Sequence, residues 1–182
     1  MPLTAAELQR GRVCYAIYPF AAQFPLTQGD GGVLQTIEDY ARRQRGSATA
    51  LETEVRLRPV LLLHDGTRGA HEDVACLRVN AVKPQHRQSS SWARIERGEH
   101  PFFFHLPAGE SRYGLPRESL VALTSVGTIH KSAILGPRHI GALDVHEMQI
   151  ISQRLVRVLS LDLAPHIAEK ARELLRRAGY SM

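Results

Sequence analysis

Apolar and polar positions along this chain change their period several times, and each change marks an element. Thr4 with Glu7 three residues later has capping-box spacing, so 3–10 reads as a short helix or arm. Strand formers alternate weakly over 13–18, which predicts a strand that Pro19 helps to end. Residues 21–32 hold Pro25 and the run Gly29-Asp30-Gly31-Gly32 and read as loop. Val33, Leu34, Ile37, Tyr40 and Ala41 then recur at helical spacing. Gly46 is placed to cap that helix after Arg42, Arg43 and Arg45. Residues 46–54 are small and polar and read as mobile.

From there the pattern turns to short apolar runs. Residues 59–64 form one such run, a buried strand followed by the turn Asp65-Gly66-Thr67. Strands are also predicted over 74–82, over the aromatic stretch 101–106 and over 119–125. Between them, 83–100 is polar and basic, with Lys83, His86, Arg87, Arg94 and Arg97 around a triple serine. The strand over 119–125 leads into a basic turn, Thr128-Ile129-His130-Lys131-Ser132. Asp144 and Glu147 then make a capping box for a helix whose apolar face is Met148, Ile151, Leu155 and Val158. Pro165 opens a last helix over 165–179, aligning Ile167, Ala171, Leu174 and Ala178 before Gly179. Several short strands and one long late helix predict a small, mostly antiparallel barrel with helical additions, α+β in class and mostly β.

Composition narrows the class. A chain of 182 residues, 43% hydrophobic and 23% charged, carries a core of ordinary globular size, and 1–182 reads as a single domain. No apolar run approaches the ~20 residues needed to cross a bilayer, so no membrane partner is expected. The first twenty residues carry Glu7 and Arg10 without a long apolar centre, which does not read as a secretory signal. Cys14 and Cys76 have no metal-type spacing and read as reduced cysteines buried in strands, consistent with a cytoplasmic protein. The net charge of +5 fits RNA, DNA or an acidic protein as partner, and equally a basic surface with no such role.

Three patches resemble the MazF/PemK-type toxins, the small ribonucleases of bacterial toxin–antitoxin pairs. They are Arg10-Gly11-Arg12-Val13 with Pro19, then Arg58-Pro59-Val60-Leu61-Leu62-Leu63, then 112–161. The third is the most specific. It combines Tyr113-Gly114, a strand, Thr128-Ile129 with Lys131, a Gly-bearing turn and the capped helix, in that order. The resemblance implies an SH3-like barrel shared by MazF, PemK and CcdB toxins, usually a homodimer, with an acidic antitoxin as partner and RNA as substrate. It implies no cofactor. Departures accompany it. A helical insertion over about 20–57 replaces a short loop, and the helix over 165–179 extends past the family's usual end. The family pairs the Arg of its Arg-Pro strand with a Thr or Ser near the end of the next strand. Arg58 matches the first, whereas Arg78-Val79-Asn80 stands where the hydroxyl belongs. Gly127 and His130 replace an Arg and an Asp common in the later motif.

Metal-free cleavage of RNA needs a base near the attacking 2′-oxygen, a cation on the phosphoryl oxygens and an acid at the leaving oxygen. Arg58 suits the cation role, because guanidinium grips phosphate bidentately; it also fits an ordinary strand-end ion pair. His64 ends the same strand and titrates near neutrality, although strand-end histidines also serve as simple surface residues. His71 and His86 fit the same role less well. Arg78 is placed to stabilise charge near the missing hydroxyl and Asn80 cannot act as a base, while the two also fit an ordinary strand arginine and turn asparagine. Thr128, His130 and Lys131 read either as a phosphate-contacting cluster or as a packing turn that exposes its charges. Arg87, Trp92 and Arg94 offer a base-stacking ring beside cations, or a loop with one aromatic anchor. No His, Cys, Asp or Glu set has convincing metal spacing, and Gly29 to Gly32 lacks the Lys of a phosphate loop.

Three functions follow. The first is a toxin-like, metal-independent endoribonuclease acting on single-stranded RNA. The second is an inactive relative that binds RNA or protein on the same barrel, which the lost hydroxyl supports. The third is a CcdB-like gyrase poison, against which the covering C-terminal helix counts.

Overall fold

The computed structural model describes residues 8–19, 25–36, 51–63, 72–135 and 141–161, with 169, 170 and 173. The elements in chain order are β1 (Arg12–Pro19), β2 (Leu26–Gln28), β3 (Val33–Leu34), β4 (Leu51–Glu52), β5 (Val55–Leu62) and β6 (Asp73–Ala81). Two short helices follow, α1 (Pro84–Arg87) and α2 (Trp92–Glu96). Then come β7 (Phe103–Leu106), β8 (Ser119–His130), β9 (Gly141–Ala142) and α3 (Val145–Val158). Six strands form one antiparallel sheet in the order β7-β8-β6-β5-β1-β9, and β3-β2-β4 form a second, small sheet.

The main sheet curls until its two sides meet. Beyond β8, Ile134 bridges to Ala16 of β1, and the Leu135 N–H donates to the Tyr15 carbonyl at 2.8 Å. The curl makes the expected small barrel and gives the sheet two unlike faces. The outer one packs Val13, Leu61, Leu77, Val121 and Leu123 against Met148 and Ile151 of α3. The inner one encloses Cys14, Ala16, Val60, Leu62, Cys76 and Ile129. Both cysteines are buried and unpaired, and burial pushes each thiol up to about 12. A third cluster, Trp92 and Ile95 of α2 with Leu120, Val82 and Phe103, covers the far end of the inner side of the sheet.

The α3 helix forms as its sequence predicts. Asp144 Oδ1 accepts from the Glu147 N–H, and Glu147 Oε2 accepts from the Asp144 N–H, both at 2.8 Å. Such a cap contributes about 1 kcal/mol. Gly114 ends a 3-10 turn (Ser111–Tyr113) at φ 65°, where a side chain would be strained.

Other expectations are corrected. Val33 and Leu34 lie in a strand, not at the head of a helix. Two adjacent apolar residues satisfy either period, and here one points in (Leu34, 1% exposed) and one out (Val33, 48%). The described part of the 20–57 insertion holds short strands joined by turns; the rest of its expected helix lies outside the described residues. Residues 26–28 and 51–52 are strands within stretches read as loop. The 83–100 stretch holds two helical turns. Thr128, Ile129 and His130 belong to β8 and not to a turn. Of the helix over 165–179, residues 169, 170 and 173 are helical, with Lys170 paired to Glu173 at 2.8 Å.

Candidate functional site

β5 and β6 pair through Val60↔Arg78 and Leu62↔Cys76, which places Arg58 alongside Asn80 on the inner side of the sheet. The side chains follow that register: Arg58 Nη1 donates to Asn80 Oδ1 at 3.3 Å. Just below, the barrel interior is apolar, so Arg58 and Arg78 stand at its mouth. Burial lowers the Arg58 pKa first, and the neighbouring Arg78 and then Arg56 lower it further, against a weaker opposing effect of Glu54. Arg78 stands close enough to disfavour the charge of Arg58, and the two guanidinium groups together make a site of high positive potential.

The hydrogen bonding of Arg78 is incomplete. Its Nη2 donates to Ser125 Oγ at 3.2 Å, while its buried Nε has no partner among the described residues. A buried unpaired donor on a cation is costly unless an acceptor arrives from outside. An anion with several oxygens, such as a phosphodiester, meets that requirement.

Ser125 reaches Arg78 because β8 carries three extra residues. The pairing runs Arg78↔Ala122 and then Leu77↔Val126, leaving 123–125 unmatched. An odd number of extra residues reverses which side of the strand faces inward. Ahead of the bulge Leu120 and Ala122 point inward; beyond it Gly127 and Ile129 do. Gly127 meets the phenol of Tyr18, and a Cβ there would stand 2.5 Å from Tyr18 Oη. Burial raises the Tyr18 pKa, with a smaller contribution from Cys76 and an opposing one from Arg78. The phenol therefore stays protonated at neutral pH. The mouth thus gathers Tyr18, Arg58, Arg78, Asn80 and Ser125 from four strands.

The residues singled out in the sequence divide between places. Arg58 and Arg78 come together at the mouth. His64 and His71 lie outside the described residues. Thr128 and His130 pair with Ala75 and Asp73 and point to the outer side, away from the arginines. His130 Nδ1 meets Ser132 Oγ at 2.7 Å, and Lys131 follows in a 3-10 turn. Trp92 is buried to 9% exposure and packs edge-on to His105, with ring centroids 5.7 Å apart. Its ring forms the wall of the third cluster. Arg87 lies 5.3 Å above that ring and is ion-paired to Glu118. Arg94 is exposed on α2. Tyr18 and Ser125 were not singled out from sequence. The glycine at 127, where the resembled family has an arginine, was the available sign that something else fills that space.

Among the described residues, no group of three or more His, Cys, Asp or Glu could hold a metal ion. No described helix is long and apolar enough to cross a membrane.

No protein family model matches the sequence, and no curated protein does. Solved toxins and endoribonucleases are similar in structure. One is an endoribonuclease in complex with its cognate antitoxin from Mycobacterial species, at 15% identity and TM-score 0.44, over 85% of this chain and 96% of that one. Another is Mycobacterium tuberculosis toxin MazF-mt6, at 18% identity and TM-score 0.42, over 59% and 90%. A third is an endoribonuclease from Mycobacterial species, at 18% identity and TM-score 0.39, over 58% and 82%.

Proposed function

We propose that this protein is a toxin-like endoribonuclease that cleaves single-stranded RNA without a metal ion. The observation that carries the reading is the Arg58–Arg78 pair at the barrel mouth, with Arg78 Nε buried and unsatisfied. Two fixed guanidiniums supply the charge that a phosphorane-like transition state needs on its equatorial oxygens. Arg94, exposed on α2, and Lys131 are further cations that a strand leaving the mouth would meet, whereas Thr128 and His130 face the other side of the sheet.

The partners proposed with it are an acidic antitoxin, complementary to the +5 chain, and a second copy of the chain. The setting proposed is the cytoplasm, and the whole of 1–182 is taken as one domain. The experiment is incubation of a long, mixed-sequence RNA with purified protein in EDTA, alongside Arg58→Ala. Discrete products from the parent alone support the reading. Intact RNA that nonetheless binds selects the second reading, a barrel that keeps its surface and lacks the chemistry. Asn80, which replaces the hydroxyl of the resembled family, favours that reading.

A further inference from the structure

The resembled family places a hydroxyl next to its arginine from the strand that is here β6, where this chain has Arg78, Val79 and Asn80. Without that hydroxyl, the mouth still needs a group to protonate the departing 5′-oxygen. Neither arginine suits that task, because guanidinium gives up its proton too reluctantly. Asn80 has no acidic proton to give, and its Oδ1 is engaged by Arg58. Ser125 Oγ accepts from Arg78 at 3.2 Å and keeps its own proton, but an aliphatic hydroxyl is a far weaker acid than a phenol.

We propose that Tyr18 is the proton donor of this site, its hydroxyl held over Gly127 at the barrel mouth beside Arg78. The proposal rests on the ribonuclease reading above. Three observations carry it. Tyr18 comes from β1, across the mouth from β8, so its ring spans the opening. Its hydroxyl occupies the space that any side chain at position 127 would take, with an ideal Cβ only 2.5 Å from the oxygen. The hydroxyl also has no hydrogen-bond partner among the described residues, so its proton is available to a bound group. Burial of the ring keeps the phenol protonated until a strongly basic alkoxide develops beside it.

The step balances as follows. The 2′-oxygen forms a bond to phosphorus while the P–O5′ bond breaks, and the bonding pair leaves with the 5′-oxygen. That oxygen takes the proton of Tyr18. The 2′-hydroxyl proton passes to water, and the tyrosinate regains a proton from solvent once the 5′-hydroxyl product departs. Arg58 and Arg78 hold the charge on the phosphoryl oxygens throughout.

The test compares wild type, Tyr18→Phe and Gly127→Ala on two RNA substrates. The first is an ordinary oligonucleotide spanning a bond that the wild type cuts. The second carries sulfur in place of the 5′-bridging oxygen at that bond, so that its thiolate leaves without a proton. Tyr18→Phe keeps the ring and hence the packing. Gly127→Ala pushes the hydroxyl out of place by moving only the far end of a side chain. Both variants are expected to lose about 10²–10⁴-fold in cleavage of the ordinary substrate, the usual worth of a general acid. Both should cut the sulfur substrate within a few-fold of wild type and bind uncleaved 2′-deoxy oligonucleotide as tightly as wild type. Equal loss on both substrates would make Tyr18 a packing residue and overturn the proposal, and so would undiminished cleavage of ordinary RNA by Tyr18→Phe. If wild type cuts neither substrate, the ribonuclease reading itself falls and takes the proposal with it.

Discussion

Removing the carboxylate of Glu147 tests the packing account most directly, because its contacts are few and each has a known partner. Glu147 is 8% exposed. Its Oε1 accepts from Tyr113 Oη at 2.6 Å and from Arg112 Nη2 at 3.1 Å, and its Oε2 accepts from the Asp144 N–H at 2.8 Å. Glu147→Ala leaves the buried Tyr113 hydroxyl without an acceptor, at ~1–3 kcal/mol. It also opens half of the capping box, at ~1 kcal/mol. The exposed part of the Arg112 contact adds little, because solvent already screens it. The contacts share partners and do not add fully, so a loss of about 3 kcal/mol is expected. For a chain of this size that lowers Tm by roughly 6–12 °C. The assay is thermal and urea unfolding of wild type, Glu147→Ala, Tyr113→Phe and the double variant. The double variant should be less destabilised than the sum by about 1 kcal/mol or more, since the second change removes a donor already orphaned by the first. A Glu147→Ala protein within ~0.5 kcal/mol of wild type would refute the reasoning. RNA cleavage below the new Tm should be unchanged, because this network lies on the α3 side and not at the mouth.

Other expected outcomes follow from single features. Arg58→Ala should fold normally, as judged by its circular dichroism and Tm, yet lose about 10²-fold or more of its cleavage rate, the scale of one lost charge-stabilising donor. Full toxicity in a folded variant would remove Arg58 from the mechanism. Gly141→Ala should cost ~3 kcal/mol or more or prevent folding, because its Cβ would fall 1.9 Å from the Tyr113 backbone; soluble expression and urea midpoint decide it. His100 has a lowered pKa, from burial first and then from Arg94 and Arg154, so folding favours its neutral form. The unfolded chain then binds more protons than the folded one just below the ordinary histidine range. Its contribution is present above about pH 6.5 and is lost as pH falls through the folded value. Unfolding midpoints measured across that window should fall more steeply for wild type than for His100→Gln. Trp92→Ala should cost ~3–5 kcal/mol, checked by urea unfolding followed by circular dichroism, since the variant lacks the chain's one tryptophan.

The fold was legible where one physical signal dominated. Asp144 and Glu147 marked the start of α3, and the aliphatic run after Pro59 marked a buried strand. The 33–34 pair was not legible, because two neighbouring apolar residues do not distinguish a strand edge from the first turn of a helix. β8 was half legible. Leu120 to Leu123 are all buried, since the α3 side and the α2 side cover both faces there, and alternation resumes only after the bulge. A period-two reading therefore stops at the irregularity and takes the remainder for a turn. The same irregularity hid much of the site. Arg58 was found from its Arg-Pro context. Tyr18 and Ser125 become neighbours of Arg78 only through sheet curl and an odd insertion, neither of which leaves a local trace in composition.

The stretch Leu123-Thr124-Ser125 also acts as a selector for the barrel. Because alternate residues of β8 face opposite ways, its length counts modulo two. Shortening it by one residue would bring Thr128 and His130 inward and send Gly127 and Ile129 to solvent, exchanging an apolar lining for an ionisable one without altering any of those residues. Shortening it by two would leave the lining in place and only tighten the bend. Length variants at this seam are therefore a discrete switch between two different interiors, and homologues with other lengths there should be compared by parity before they are compared by sequence.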